Sequence, residues 1–303
     1  MKEFNNREIA KKHAEYITGK ELRRYLAEKV KGYVGDSPTV FDGAVGSGQL
    51  EEFVNPAHVT GVEIQEGACR AFKENYPNST VENMSFFNYK GDVNADCVIM
   101  NYPFSLKFKE LSEEEQTNIQ SSFPWKKSGV VDDIFILKSL EQTKGYGFYI
   151  CFPGIRYRNA EKKLRELLSG CIAEHNVIRN AFEDTGIDVL FLVIDKEKDL
   201  SRTVKKEIYD CKLKKVVYEE KTSVDEEWEQ IVEPLPEQEP IDPVTLEMQI
   251  QDDVIKQLKK QLEITLAVSK LEKKTDLFER LLKNISSVLN EYERYREKEE
   301  RWP

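Results

Sequence analysis

The stretch Val40-Phe41-Asp42-Gly43-Ala44-Val45-Gly46-Ser47-Gly48-Gln49-Leu50 constrains the fold of this chain more than any other. A short apolar strand runs into three closely spaced glycines. Residues without a side chain suit a turn at which the backbone passes close to a ligand or another chain segment. No Lys-Ser/Thr pair follows, so this is not the phosphate-binding loop of nucleoside triphosphatases, and the spacing is not a clean dinucleotide fingerprint. The next apolar run, Gly61-Val62-Glu63-Ile64, carries a carboxylate, Glu63, twenty-one positions after Asp42. A carboxylate at the end of a second strand can accept both hydroxyls of a ribose. The pairing points to an adenosine-containing cofactor held by Asp42, Gly43, Ala44, Gly46, Ser47, Gly48, Glu63 and Ile64. A plain tight turn with a solvated Glu63 would leave the same trace.

Around this loop, strand and helix signals alternate. Leu22, Tyr25, Leu26 and Val30 recur at helical spacing behind Thr18-Gly19-Lys20-Glu21, which has the form of a capping box. Strands are expected at 38–41, 59–64, 80–81, 96–100, 147–152 and 189–194, and helices at 67–75, 132–142 and 160–169. Such alternation builds a parallel α/β sheet covered on both faces. The block ends near Asp195. Lys198 to Glu227 is mixed in charge and partly stranded, and Glu233 to Pro243, with four prolines, reads as an extended linker. The expected division is a main domain over 1–197, a charged extension and linker over 198–243, and a helical segment over 244–303.

The last segment has no Gly or Pro from Val244 to Arg296. Ile264, Val268, Leu271, Thr275, Phe278, Leu282, Ile285, Leu289 and Tyr292 are spaced alternately four and three apart, a heptad seam. It suits a coiled coil with itself or another subunit, or a long helix docked along its own domain.

Composition excludes several classes. The longest purely apolar run, Val189 to Ile194, is too short to cross a bilayer, and residues 1–12 lack an apolar signal core. The five cysteines form no C-x-x-C pair, and no His stands at ligand spacing from them. A cytoplasmic protein without a structural metal is therefore expected. The net charge of -10 is unusual for a chain that grips nucleic acid by itself.

The strand Asp96-Cys97-Val98-Ile99-Met100 runs directly into Asn101-Tyr102-Pro103-Phe104. Here the chain resembles the amino-methyltransferases, whose motif after the fourth strand is Asn-Pro-Pro-Phe. Downstream, four segments narrow the resemblance: Asp133-Ile134-Phe135, Gly147-Phe148-Tyr149-Ile150-Cys151-Phe152-Pro153-Gly154, Ala160-Glu161-Lys162-Lys163-Leu164-Arg165, and Phe182-Glu183-Asp184-Thr185-Gly186-Ile187-Asp188-Val189-Leu190. Over residues 13 to 196 the chain is similar to N6-adenine DNA methyltransferases, in particular the modification subunits of type I restriction systems and related phage-type adenine methyltransferases.

The resemblance implies a Rossmann-like class I methyltransferase with a mostly parallel seven-stranded sheet, helices on both faces and a long C-terminal helix or coiled coil. It implies S-adenosyl-L-methionine as cofactor and N6 of adenine in DNA as acceptor, the base being flipped into a pocket at Asn101, Tyr102, Pro103 and Phe104. The Asn101 side-chain oxygen and the Tyr102 main-chain carbonyl would accept from the amino group, and Phe104 would stack on the base. Tyr16-Ile17-Thr18 would touch the methionine end of the cofactor, with Gly19 where the family usually has Pro. Ser85 stands where the family often has an Asp that contacts the cofactor's adenine. Tyr102 replaces a Pro, which frees φ and restores an N–H, so a looser loop is expected. Asp133 reads as a helix cap.

Arg156, Arg158, Lys162 and Lys163, with Tyr157 among them, are candidate contacts to nucleic acid, or a solvated helix face. Lys205, Lys206, Lys212, Lys214 and Lys215 form a second basic stretch, interleaved with acids. After residue 200 only a short charged stretch, a linker and a helix are read, with no long target-recognition domain visible among them. A specificity subunit or a homodimer through the C-terminal helix is therefore expected to complete the grip on DNA. Methylation of another amino group, in an RNA base or a protein glutamine, and a non-catalytic scaffold are the alternatives.

Overall fold

The computed structural model describes residues 18–182, 187–234, 243–272 and 276–299. Tyr16, Ile17 and the quoted residues 183–186 lie outside them. The chain forms two compact units, Met1–Glu233 and Pro234–Pro303.

In the first unit, α1 (Lys20–Val34) precedes β1 (Thr39–Asp42), β2 (His58–Glu63), α2 (Glu66–Asn75), β3 (Thr80–Asn83) and β4 (Ala95–Met100). Then come α3 (Glu113–Ser122), α4 (Asp132–Leu140), β5 (Thr143–Cys151), α5 (Lys162–Leu168), β6 (Ile172–Arg179), β7 (Val189–Asp195), β8 (Val204–Asp210) and β9 (Lys215–Thr222). All strands join one nine-stranded sheet in the order β3-β2-β1-β4-β5-β7-β6-β8-β9.

The expected mostly parallel seven-stranded sheet is corrected in two ways. β3-β2-β1-β4-β5 are parallel, but β7 runs antiparallel to both β5 and β6. The sheet also continues past Asp195: β8 pairs parallel with β6, and β9 antiparallel with β8. In β8, Val204, Ile208 and Tyr209 are buried, as are Lys206 and Glu207 between them, so the charged stretch enters the sheet with both faces covered. Both edges are blunted. β3 is largely exposed, and β9 carries Lys215, Glu219, Glu220 and Lys221.

Phe148 to Cys151 of β5 and Val189 to Ile194 of β7 are buried at every consecutive position. Strands of that kind need cover on both faces, and they form the centre of the core. β6 is different. Its Glu174, His175 and Asn176 are buried polar residues, and α1 satisfies the acid and the amide. Lys29 Nζ donates to Glu174 at 2.6 Å and to Glu207 at 2.8 Å, Tyr25 Oη to Glu207 at 2.8 Å, Tyr33 Oη to Glu174 at 2.9 Å, and Asn176 Nδ2 to Tyr25 Oη at 2.8 Å. Buried charges are tolerated when paired and hydrogen-bonded in this way. Burial pushes the Tyr25 hydroxyl well above its ordinary pKa, and the neighbouring carboxylates add to this.

The expected capping box at α1 does not form. Gly19 is the N-cap, without a side-chain cap. The Thr18 hydroxyl accepts from Asn101 Nδ2 at 2.8 Å, and Glu21 accepts from the Tyr209 hydroxyl at 3.0 Å, so both partners are engaged elsewhere.

The second unit holds α6 (Pro243–Glu272) and α7 (Asp276–Glu299). Of the seam positions, Ile264, Val268 and Leu282 are exposed, as are Ile250 and Val254 upstream. No helix among the described residues is long and apolar enough to cross a membrane, and no group of residues among them could hold a metal ion.

Candidate active site

β1 and β4 are parallel neighbours, with Val40 beside Cys97 and Phe41 beside Val98. After β1 the chain turns to β2 on one side, while β4 leads to β5 on the other. A crevice opens at such a switch point, beyond the carboxyl ends of the strands. The glycine loop, Glu63 at the end of β2 and Asn101 after β4 all reach this one edge of the sheet.

The loop is shaped by what its glycines leave out. A Cβ on Gly43 would lie 2.5 Å from Met100 Cε and 2.6 Å from Phe86. Gly48 has φ +79°, and a Cβ there would lie 2.4 Å from the Tyr76 ring. Gly46 has φ +56° and nothing within 4 Å of a Cβ, so the loop borders open space at this residue. Backbone groups then carry the loop. Ala44 N donates to Asp42 Oδ1 at 2.7 Å, Gly48 N to Val45 O at 2.9 Å, and Gly46 N to Glu63 Oε2 at 2.9 Å. The Ser47 carbonyl accepts from Asn75 Nδ2 at 2.9 Å and that of Gly48 from Tyr76 Oη at 2.9 Å. Burial, with the Glu51 carboxylate beside it, holds the Asp42 carboxyl well above the usual carboxylate range, and burial pushes Glu51 up to about 7.

Glu63 Oε1 accepts from Gln65 N at 2.7 Å, so each carboxylate oxygen is oriented by one backbone N–H. The next residue, Ile64, is 65% exposed, an apolar side chain beside an oriented carboxylate. Ser85 caps the short turn Phe86–Asn88, and its hydroxyl donates to the Glu115 carboxylate. Glu115 comes from α3, a helix absent from the sequence-based expectation. Its signal was present: Ser112 and Glu115 form a capping box. Because α3 has only one buried residue, Ile119, it shows no hydrophobic periodicity.

Asn101 Nδ2 donates to Thr18 Oγ1, which sets the amide's orientation and places Oδ1 on its other side. Tyr102 is 1% exposed. Its ring stacks on Phe135 at 5.0 Å and 10° and meets Phe104 edge-on at 6.0 Å. The residue expected to loosen the loop thus anchors it in the core. Phe104 packs against Phe152 at 6.5 Å, and Pro103, which precedes Phe104 in the sequence, is half-buried.

The basic residues are not alike. Lys162 and Lys163 are exposed, Lys163 pairing with Glu166 at 3.1 Å. Arg156 donates to Gln230 at 2.9 Å. Arg158 is committed to Ser105, Asp132 and Glu161. Lys206 is buried, donating to the carbonyls of Glu226 at 2.6 Å and Glu229 at 2.9 Å. Asp133 is not a helix cap: Lys126 Nζ approaches its two oxygens at 2.6 and 2.7 Å, and the N-cap of α4 is Val131.

A family model described as N-6 DNA Methylase matches residues 73–276. The glycine loop and Glu63 precede that match, so their reading stands on the geometry above. The comparison with curated proteins finds no match. Among solved structures, the chain is similar to the type I restriction-modification system methyltransferase subunit from Streptococcus thermophilus (TM-score 0.54, 21% identity, 64% of this chain and 47% of that one). It is also similar to a modification subunit assigned to a type I restriction enzyme from Vibrio vulnificus (TM-score 0.54, 13% identity, 67% and 51%) and to the type IIG restriction endonuclease BpuSI (TM-score 0.55, 15% identity, 72% and 32%). At these identities the likeness is one of fold, and the chain spans about half the length of the first two. The family match covers two thirds of the sequence, and the chain belongs to the N-6 DNA Methylase family.

Proposed function

We propose that the chain transfers a methyl group from S-adenosyl-L-methionine to N6 of adenine in DNA. The observation that carries this reading is the shared sheet edge, where Gly46 and Glu63 stand across the β1–β4 crevice from Asn101.

The residues present fit the cofactor. The open side of Gly46 leaves room for a ligand against the loop, Glu63 offers two oriented oxygens to a ribose, and Ile64 gives an apolar surface for a purine face. Thr18 and the loop residues Asp42 to Gly48 would hold the remainder. When bound, the cofactor supplies an activated methyl sulfonium. The protein's own task is to present a poor nucleophile. An adenine amine is weak because its lone pair is delocalised into the ring. Accepting hydrogen bonds from its N–H groups, by Asn101 Oδ1 and the Tyr102 carbonyl, favours a tetrahedral nitrogen with its lone pair directed outward. Phe104 stacks on the extruded base, and the buried Tyr102–Phe135 stack keeps both acceptors in place. Positioning of this kind supplies much of the acceleration.

A second chain supports the grip on DNA in this reading. The net charge of -10 and the exposed apolar residues of α6 and α7 favour a specificity subunit or a second copy docked on the C-terminal helices. Light scattering on the full chain alone should show self-association if a copy is the partner.

Tritium from labelled S-adenosyl-L-methionine should enter DNA rather than RNA or protein. Asn101→Ala should abolish that transfer while calorimetry shows cofactor binding within about threefold of the unaltered chain. Label in RNA or in a protein glutamine would replace the acceptor, and binding without transfer to any of the three would favour a scaffold.

A further inference from the structure

Ser105 follows the tetrapeptide and has φ +58°, a conformation unfavourable to a residue with a Cβ. Two groups hold it there. Its backbone N–H donates to Asp132 Oδ1 at 2.9 Å, and its Oγ accepts from Arg158 Nη1 at 2.9 Å. Arg158 Nη2 donates to Asp132 Oδ2 at 2.8 Å and to the Glu161 carboxylate. Asp132 and Glu161 are both 0% exposed, and the neighbouring Asp133 is neutralised separately by Lys126. The guanidinium lies over Phe152, 5.3 Å from its ring centre, and Phe152 packs on Phe104. Gly154 makes room for it, since a Cβ there would stand 2.8 Å from Arg158 Nε.

We propose that Arg158, through Asp132, Glu161 and Ser105, is a positioning residue that fixes Phe104 and the backbone after Pro103 in the geometry that receives the extruded base. The proposal rests on the methyltransferase reading above and assigns Arg158 a role inside the protein instead of on a DNA phosphate. A phosphate contact would draw the guanidinium away from two buried carboxylates and leave them unpaired. The bridge needs a planar fork that reaches three acceptors, which Lys does not offer.

Amide hydrogen exchange on the full chain tests the idea. Arg158→Gln and Arg158→Lys should both raise exchange at residues 104–107 at least tenfold, with β4 unchanged and S-adenosyl-L-methionine affinity within twofold. Ser105→Ala removes one bond of the bridge at a half-buried position and should raise the same amides severalfold even if the arginine variants fail to fold. With a mixed-sequence unmethylated duplex, the arginine variants should lose at least tenfold in the rate of methyl transfer and keep the salt dependence of binding. Unchanged exchange in a folded variant that binds the cofactor normally overturns the positioning role alone. So does full activity in Arg158→Lys, or a salt slope lowered by about one in Arg158→Gln, the mark of a lost phosphate contact. If the unaltered chain does not bind S-adenosyl-L-methionine, the methyltransferase reading fails and takes the purpose of the bridge with it.

Discussion

The glycine loop after β1 and the tetrapeptide after β4 leave neighbouring strands at the same sheet edge, and they are held in opposite ways. The glycine loop is fixed by removing side chains, so that Met100, Phe86 and Tyr76 press against bare backbone, with N–H groups carrying the bonds. The tetrapeptide is fixed by adding side chains: Tyr102 is sunk into an aromatic stack, and Ser105 is bridged by Asp132 and Arg158. In the proposed reading the first loop leaves room for a ligand against its backbone. The second, in the same reading, presents two acceptors at a defined place and can be tethered from behind. Substitutions should therefore do harm by overpacking in one loop and by truncation in the other.

The largest effect should come from truncating the tether. Tyr102→Ala should cost about 3–5 kcal/mol by urea denaturation, as for other large-to-small aromatic changes in a core. Tyr102→Phe keeps the stack on Phe135 and should cost well under half of that; equal losses would show that the ring is not the anchor. Gly48→Ala should cost about 2–4 kcal/mol, combining a Cβ driven into Tyr76 with an unfavourable φ. Gly46→Ala meets no neighbour, so it should cost only about 1–2 kcal/mol of stability, the strain of its φ. Its methyl would instead occupy the open side of the loop, and cofactor affinity by calorimetry should fall more than tenfold. A Gly46→Ala chain that bound the cofactor normally would move the ligand away from this loop.

The smallest effect is one of pH. Burial pushes the Glu161 carboxyl from 4.5 up to about 7, so the folded chain favours its protonated form. That stability is fully present below 4.5 and is lost as pH rises through about 7. Glu161→Gln should therefore match the unaltered chain in acid and melt a few degrees higher in mild alkali. Glu51 and Asp133 are displaced in the same direction, so the difference between the two melting curves, not the slope of either, reports Glu161.

The sheet edge was readable from sequence because its signals are local. A strand, a glycine cluster, a spaced carboxylate and the tetrapeptide each occupy a few consecutive residues. The expected strands at 59–64 and 96–100 fall within one residue of β2 and β4. β6 was missed because Glu174, His175 and Asn176 break its apolar pattern, and the partners that make their burial tolerable lie far away on α1. β8 reads as a charged extension because Lys206 and Glu207, although buried, break its apolar pattern and find their partners far away in sequence, and β9 because none of its positions is fully buried. Thr18 and Tyr102 were placed by local rules, a cap and a lost Pro. Both were decided by a side chain distant in sequence, Asn101 and Phe135.

The ties between α1 and the strands β6 and β8 span 141 to 188 residues. During synthesis, then, the helix whose leading Thr18 orients Asn101 emerges early and waits for most of the unit to follow. Until Glu207 leaves the ribosome, Lys29 and Tyr25 lack a carboxylate that they share in the finished fold. Contacts of such long range close late, because the entropy of the intervening loop is lost before they can form. In the proposed reading the Asn101 amide would thus reach its final orientation only once the far end of the sheet is in place, and a working pocket would wait until the unit is almost complete.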